Sequence, residues 1–233
     1  MRVKSVLRAV ASEFVRLSPY LALLLFSGTL IAFRIERTHS TIFFFLLWNL
    51  FLAAIPLVAS SLLRAIDRLG LPRLWLLPLL GLWLLFLPNA PYILTDLIHL
   101  HERPPVPMWY DLGLLLTCAG TGLALGYRSV LDVEEVIARW LGRWTGFATC
   151  VFALFASGFG IYLGRYLRLN SWEVVTEPSL VFGIVFERLA HPFTHPQTWG
   201  VTILFGLPLV LGYAAIRLAI PGGTAKQPSK RFL

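Results

Sequence analysis

Long apolar stretches alternate with short polar segments along the whole chain. Six of these stretches approach or exceed the roughly 17 to 20 residues that a helix needs to cross the hydrocarbon layer of a membrane. They cover residues 17–33, 41–63, 74–95, 107–127, 144–165 and 198–220. The pattern therefore predicts an all-α fold, a polytopic membrane bundle of about six transmembrane helices that forms a single domain over residues 1–220.

Composition supports a membrane protein. Hydrophobic residues make up 57% of the 233 residues, charged residues make up 14%, and the mean hydropathy is +0.73. A soluble domain carries roughly 25% charged residues. The N-terminus resembles a secretory signal, but no small-residue cleavage site follows, so the first apolar stretch is interpreted as a membrane span. Residues 221–233 are predicted to form a disordered cytoplasmic tail.

The distribution of Lys and Arg predicts the orientation. Fourteen of the 20 lie near the two termini and in the connections after the second and fourth spans, and six lie in the other connections. Cytoplasmic segments hold the excess of basic residues, so both termini are predicted to be cytoplasmic. The basic residues of this +8 chain do not interleave with exposed aromatics, so membrane lipids, and not nucleic acid, are the expected partners.

The segment 128–143 and the two cysteines are interpreted as structural features. Residues 128–143 show an apolar stripe behind a capping pattern that starts at Asp132, which predicts an interfacial helix. Cys118 and Cys150 lie inside apolar stretches and are predicted to be small buried side chains. The sequence carries no signal for an oligomeric state.

The third apolar stretch ends in L-P-N-A-P-Y-I-L-T-D-L-I-H-L, residues 87–100. Its two prolines predict a helix break, with Asn89 as the cap, that must face protein or a cavity. If residues 89–103 continue as a helix, steps of about 100° place five polar residues on one face. These are Asn89, Tyr92, Asp96, His99 and Arg103. They predict a polar site at the outer membrane face, although each has a simpler interpretation as a cap, an interface anchor or a solvated residue.

Roles within this site follow from side-chain chemistry. Asp96 and His99 are candidate acid/base residues, and Asn89 and Tyr92 are candidate binding residues. Asp111, which follows W-Y at the start of the fourth span, is a third candidate catalytic residue. A carboxylate in a span is costly, so Asp111 is expected to have a cationic partner.

The fifth span supplies that candidate cation in G-I-Y-L-G-R-Y-L-R-L-N-S-W. Gly160 and Gly164 have the spacing that lets helices approach closely, which would hold Arg165 near a neighbouring span. An ion pair between Asp111 and Arg165 could be purely structural. Guanidinium groups also suit phosphate recognition, which favours a lipid headgroup or a lipid-linked phosphate. The candidate substrate-binding residues here are Arg165, Tyr166, Arg168, Asn170 and Trp172.

A metal site is the alternative chemistry. Asp96 and His99 are three residues apart, which allows both to reach one ion, and the outer connections add His101, Glu187, His191 and His195. No standard zinc spacing is present. We therefore expect no cofactor and keep a metal ion at Asp96 and His99 as an alternative.

The run W-L-L-F-L-P-N-A-P-Y-I-L-T-D-L-I-H-L, followed by W-Y-D and G-I-Y-L-G-R-Y-L-R-L-N-S-W, resembles a bacterial membrane-protein family, domain of unknown function 1361. The similarity covers roughly residues 41–220. It implies a multi-pass protein of the bacterial inner membrane with no established activity. The positions that match the motif are Pro88, Asn89, Pro91, Tyr92, Thr95, Asp96, His99, Asp111, Arg165, Tyr166, Arg168, Asn170 and Trp172.

Three classes of function fit the sequence. The first is an enzyme or binding protein for a lipid or lipid-linked anionic substrate at the outer face. The second is a transporter of small solutes or ions, for which Asn49 and Thr117 are the main polar residues inside spans. The third is a structural or partner protein of the bacterial envelope.

Overall fold

The computed structural model describes residues 2–70, 74 and 76–219, and this part of the chain is helical without β-strands. The helices are α1 (Arg2–Thr38), α2 (Phe45–Leu69), α3 (Leu76–Phe86), α4 (Asn89–Tyr92), α5 (Met108–Leu141), α6 (Arg143–Tyr166), α7 (Glu173–Thr176), α8 (Pro178–Ala190) and α9 (Pro196–Ala219). The connections include the 3-10 segments Ile93–His99 and Pro192–Thr194.

Within the described residues, six helical stretches are long and apolar enough to cross a membrane. They are Ser12–Thr38, Phe45–Leu69, Leu76–His99, Met108–Leu141, Arg143–Tyr166 and Pro196–Ala219. The predicted all-α bundle of about six spans is therefore confirmed, although each span passes a predicted bound at one end or both, most of all Met108–Leu141. The predicted tail 221–233 lies outside the described residues.

Packing divides the bundle around α2 and α5, which lie along each other. Helix α3 packs on α2, α6 packs on α5 and α9, and α1 packs on α5. Close packing of α6 on α9 depends on small residues, because a Cβ on Gly158 would lie 2.4 Å from the Thr202 carbonyl oxygen. Cys118 and Cys150 are buried free thiols, as predicted.

Helix α5 is longer than a membrane span requires. Its 34 residues give a length of about 51 Å, roughly 20 Å more than the hydrocarbon layer. The helix continues to Leu141 and is separated from α6 only by Gly142, whose φ is +95°. The predicted separate interfacial helix at residues 128–143 is therefore wrong, because this segment extends α5 beyond the layer.

The two ends of the bundle have different polar chemistry. We call the end with the connections 39–44, 100–107 and 167–195 the site end. At the opposite end, the fully buried Asp132 accepts hydrogen bonds from Arg16 and Arg64, each at 2.6 Å, and from Arg128. Since Arg16 belongs to α1 and Arg64 to α2, this carboxylate joins three helices. The capping role that the sequence predicts for Asp132 is therefore wrong, because Asp132 lies inside α5 and is the centre of an ion-pair cluster.

Candidate functional site

The third span breaks near the site end. Helix α3 ends at Phe86, α4 begins at Asn89, and the 3-10 segment ends at His99. The side-chain amide of Asn89 does not cap α4; it donates to the Phe86 carbonyl and to the Ser171 hydroxyl, both at 3.0 Å. Asn89 therefore satisfies a carbonyl that the break leaves free and links it to the segment after α6. The predicted helix over 89–103 ends four residues early.

Asp96 is the buried centre of the site. Its side chain, with 1% of the residue exposed, accepts a hydrogen bond from the Asn49 amide at 2.8 Å and one from Arg165 at 3.3 Å. Arg165 also donates to the Thr95 carbonyl at 2.8 Å and lies 3.4 Å from Nε2 of His99. Because a guanidinium group only donates, His99 accepts in this contact. Arg165 is thus held by several fixed partners.

Two glycines bring α6 against the break, as the sequence predicted. A Cβ on Gly160 would lie 2.5 Å from the side chain of Pro88, and a Cβ on Gly164 would lie 3.0 Å from the ring of Tyr92. Larger residues at these positions would push α6 away. The close approach places the Arg165 guanidinium 5.8 Å from the centre of the Tyr92 ring.

Asp111 has a different partner from the one expected. Its carboxylate accepts hydrogen bonds from Arg34 of α1 at 2.7 and 3.1 Å, and both side chains are buried. The expected pairing of Asp111 with Arg165 is therefore wrong, because Arg165 is bound to Asp96. The sequence offered no way to rank Arg34 above Arg165, since both are single cations near the same end of the bundle.

A cavity of about 910 Å³ opens beside this cluster. It is lined by residues of α2, α3, α4, α6 and α8, of the 3-10 segment Ile93–His99 and of the segment after α6. The predicted site residues that line it are Asn89, Tyr92, His99, Arg165, Arg168, Asn170 and Trp172. Asp96 lies behind this surface, and Asp111 and Tyr166 do not line the cavity. Tyr166 instead stacks on Tyr162, with ring centres 5.6 Å apart.

Arg168 differs from Arg165 in its surroundings. It is exposed at the cavity and, within the described part of the chain, makes no hydrogen bond or ion pair with another residue. Its φ of +58° is the left-handed conformation that usually holds glycine after a helix. The following Leu169 N–H donates to the Leu163 carbonyl at 3.1 Å, which closes the end of α6. The backbone thus fixes an unpaired cation at the cavity.

Aromatic rings flank the cavity mouth. Trp48 of α2 and Trp172 lie edge to face with ring centres 6.2 Å apart, and both are substantially exposed. Sequence reasoning missed Trp48 and Ser171, and it assigned Asn49 to a transport route. Asn49 is the lone polar residue in F-L-L-W-N-L-F-L. That isolation was a signal for a buried partner, which the structure identifies as Asp96.

The geometry gives the metal alternative no support. Within the described ranges, no group of three or more His, Cys, Asp or Glu side chains is arranged to hold a metal ion. The Arg165 guanidinium also lies against both Asp96 and His99. Elsewhere at the site end, Glu187 of α8 lies 3.0 Å from His195 of the following connection, and the hydrogen bond from His195 lowers the pKa of the Glu187 carboxyl. His195 also contacts Arg188, at 2.9 Å.

Comparison with known proteins gives a family and no function. No curated protein and no solved structure matches the chain. The model of a family described as "Protein of unknown function (DUF1361)" matches residues 48–211, which include Asn49, the broken third span, Asp111 and the Arg165–Trp172 segment. The predicted resemblance is confirmed, and the chain belongs to the DUF1361 family of proteins of unknown function.

Proposed function

We propose that this protein binds a lipid or lipid-linked molecule that carries an anionic group such as a phosphate. Binding occurs at the outer face of a bacterial cytoplasmic membrane, which is the face that the distribution of Lys and Arg assigns to the site end. The single observation that carries the proposal is the charge balance of the cavity. Arg165 is paired with Asp96, whereas Arg168 lines the cavity without an acidic partner in the described structure.

The surroundings of Arg168 support a bound anion of moderate size. Asn89, Asn170 and Ser171 provide polar side chains in the same lining, and Trp48 and Trp172 provide aromatic surface. Arginine forms charge-assisted, often bidentate hydrogen bonds to phosphate. Tryptophan is enriched where the membrane meets water. A headgroup at this depth would therefore meet both a cation and an amphipathic rim.

Asp96 and His99 have different roles in this proposal. Each carboxylate oxygen of Asp96 already accepts a hydrogen bond, and the residue lies behind the cavity surface, so Asp96 positions Arg165. His99 lines the cavity, and because its Nε2 accepts from Arg165, its other ring nitrogen, Nδ1, is the atom available to exchange a proton with a bound molecule. Asp111 is paired with Arg34, which gives it a role in attaching α1.

The transporter alternative gains no support from its two polar residues. The Asn49 amide donates to Asp96, and the Thr117 hydroxyl donates to the Gly113 carbonyl at 2.7 Å. Both groups are therefore engaged by hydrogen bonds within the protein, and Asn49 also lines the cavity at the site end.

The test compares Arg168→Gly with Arg168→Lys. The protein is placed in phosphatidylcholine nanodiscs that contain a small fraction of phosphatidic acid, and native mass spectrometry counts the anionic lipids that stay bound. Glycine suits the φ of +58°, so Arg168→Gly removes the charge and leaves the backbone unstrained. We expect at least about a tenfold loss of phosphatidic acid affinity for Arg168→Gly and near-normal binding for Arg168→Lys. Equal binding by wild type and Arg168→Gly would overturn the proposal.

A further inference from the structure

We infer that a hydrocarbon chain of the bound molecule lies in the lower part of the cavity, which is the part farther from the site end. The chain enters from the bilayer, between α3 and α6. This inference rests on the proposed function and specifies which class of anionic molecule the site accepts. It requires a ligand with at least one long chain, and not a water-soluble phosphate.

The lower part of the cavity is apolar. Its lining comes from one face of α3 and the facing side of α6, with no charged residue among them. The lining residues in this part are Gly81, Leu84, Leu85, Ala156, Phe159 and Gly160. A free phosphate would use only the polar rim above them, whereas a hydrocarbon chain would gain favourable contact along the whole surface.

The depth of this surface matches one leaflet of a bilayer. Ala156 and Arg165 both line the cavity on α6 and are nine residues apart, which is about 14 Å along a helix. Half of a roughly 30 Å hydrocarbon layer is about 15 Å. A lipid whose headgroup contacts Arg168 would therefore place its chain beside these residues without leaving the outer leaflet.

The side of the cavity between α3 and α6 is available to lipid. Helix α3 packs mainly on α2, and α6 packs on α5 and α9, so the two cavity walls belong to different helix pairs. Gly81 and Leu84, which line the cavity from α3, are both exposed. An apolar opening at this depth faces the hydrocarbon chains of the bilayer, so we expect a lipid chain to occupy it.

Gly81 provides a direct test, because a Cβ added there meets no atom within 4 Å. Gly81→Leu would fill the groove without disturbing neighbouring helices. Gly120→Leu is the matched control, since Gly120 is also exposed and unobstructed but lies on α5 outside the cavity lining. In the same nanodiscs, we expect Gly81→Leu to reduce phosphatidic acid affinity about tenfold and Gly120→Leu to leave it unchanged.

A second measurement does not depend on blocking the groove. A photo-crosslinking benzoylphenylalanine is introduced at Leu84, which lines the cavity, or at Leu82, which is exposed elsewhere on α3. We expect lipid captured at position 84 to be enriched in phosphatidic acid, and lipid captured at position 82 to match the composition of the nanodisc. Equal composition at both positions would overturn the inference.

The outcomes separate this inference from the proposed function. If Arg168→Gly loses phosphatidic acid but Gly81→Leu retains it, the headgroup site stands and the chain route is wrong. The same conclusion follows if glycerol 3-phosphate competes with phosphatidic acid at equal affinity, because that compound has no chain. If wild type and Arg168→Gly bind phosphatidic acid equally, the proposed function fails and the inference fails with it.

Discussion

At the residue scale, the site depends on how one buried carboxylate is compensated. Asp96 accepts hydrogen bonds from an amide at 2.8 Å and from a guanidinium at 3.3 Å. Removing one member of such a pair leaves the other without its partner, which costs more than the pair contributes. The pair therefore serves mainly to fix Arg165, whose other bonds reach Thr95 and His99.

A double-mutant cycle tests this coupling. We expect Asp96→Asn and Arg165→Gln each to lower the free energy of unfolding by about 2 kcal/mol, because each leaves the charge of the other residue without its partner. The combined variant should lose less than the sum, since it contains two neutral amides. The measurement is equilibrium unfolding of the purified protein by titration with dodecyl sulfate.

Glu36→Gln is the control for this cycle, because Glu36 is an exposed acid near the same end of the bundle. Its loss should leave stability within about 0.5 kcal/mol of wild type. If the combined variant lost as much stability as the two single variants together, the predicted coupling would be wrong, since Asp96 and Arg165 would not stabilise each other.

At the element scale, the broken third span is positioned by the surface of α5. A Cβ on Gly122 would lie 2.4 Å from the Ala90 carbonyl oxygen, and a Cβ on Gly126 would lie 2.9 Å from the Ala90 side chain. Helix α4 can therefore rest directly on the backbone of α5. The neighbouring Asn89 and Tyr92 line the cavity, so this contact also sets the position of the site.

Gly122→Ala is expected to destabilise the protein by about 1 to 3 kcal/mol, because the methyl group meets backbone that can yield only if α4 moves. Gly120→Ala should have the opposite sign and stabilise by up to about 1 kcal/mol, since its Cβ meets nothing within 4 Å and alanine favours the helix. Thermal unfolding followed by circular dichroism compares the two variants. Equal midpoints would contradict this prediction, because they would show that the contact of α4 with α5 has room for a methyl group at position 122.

The helices also show which features of the fold can be predicted from the sequence and which cannot. The apolar runs predicted all six spans because burial in hydrocarbon is a local requirement on composition. The end of α5 was predicted wrongly because its charges resemble those of a loop, whereas Asp132 is neutralised by Arg16 and Arg64 from other helices. Ion pairs between residues far apart in sequence cannot be predicted from a local pattern, and this is why the expected pairing of Asp111 with Arg165 is wrong. The pattern did place Asp96, His99 and Arg165 in one site.

At the scale of the whole molecule, the bundle has two polar ends with different balances of charge. The opposite end holds Asp132 and its three arginines, together with the ion pair between Asp67 and Arg139 at 2.6 Å. The site end holds the cavity and the two pairs centred on Asp96 and Asp111. Basic residues are concentrated towards the opposite end, which predicts that this end faces the cytoplasm.

Labelling of one introduced cysteine at a time with a membrane-impermeant maleimide tests this orientation. Glu102→Cys places a thiol at an exposed position of the site end, and Arg143→Cys places one at an exposed position of the opposite end. We expect cysteine at position 102 to react in intact cells and cysteine at position 143 to react only after the membrane is opened. The unsubstituted chain is the control, because Cys118 and Cys150 are buried and should react slowly in both conditions.

The reverse pattern would place the cavity at the cytoplasmic surface. Arg168 would then face the leaflet that carries most anionic lipid, and binding of phosphatidic acid would no longer indicate an outer-face substrate. The internal geometry of the site would be unaffected, since the bonds among Asp96, Asn49 and Arg165 do not depend on which way the bundle is inserted. Orientation therefore decides which pool of lipid the site can reach, whereas the cavity itself decides what it can hold.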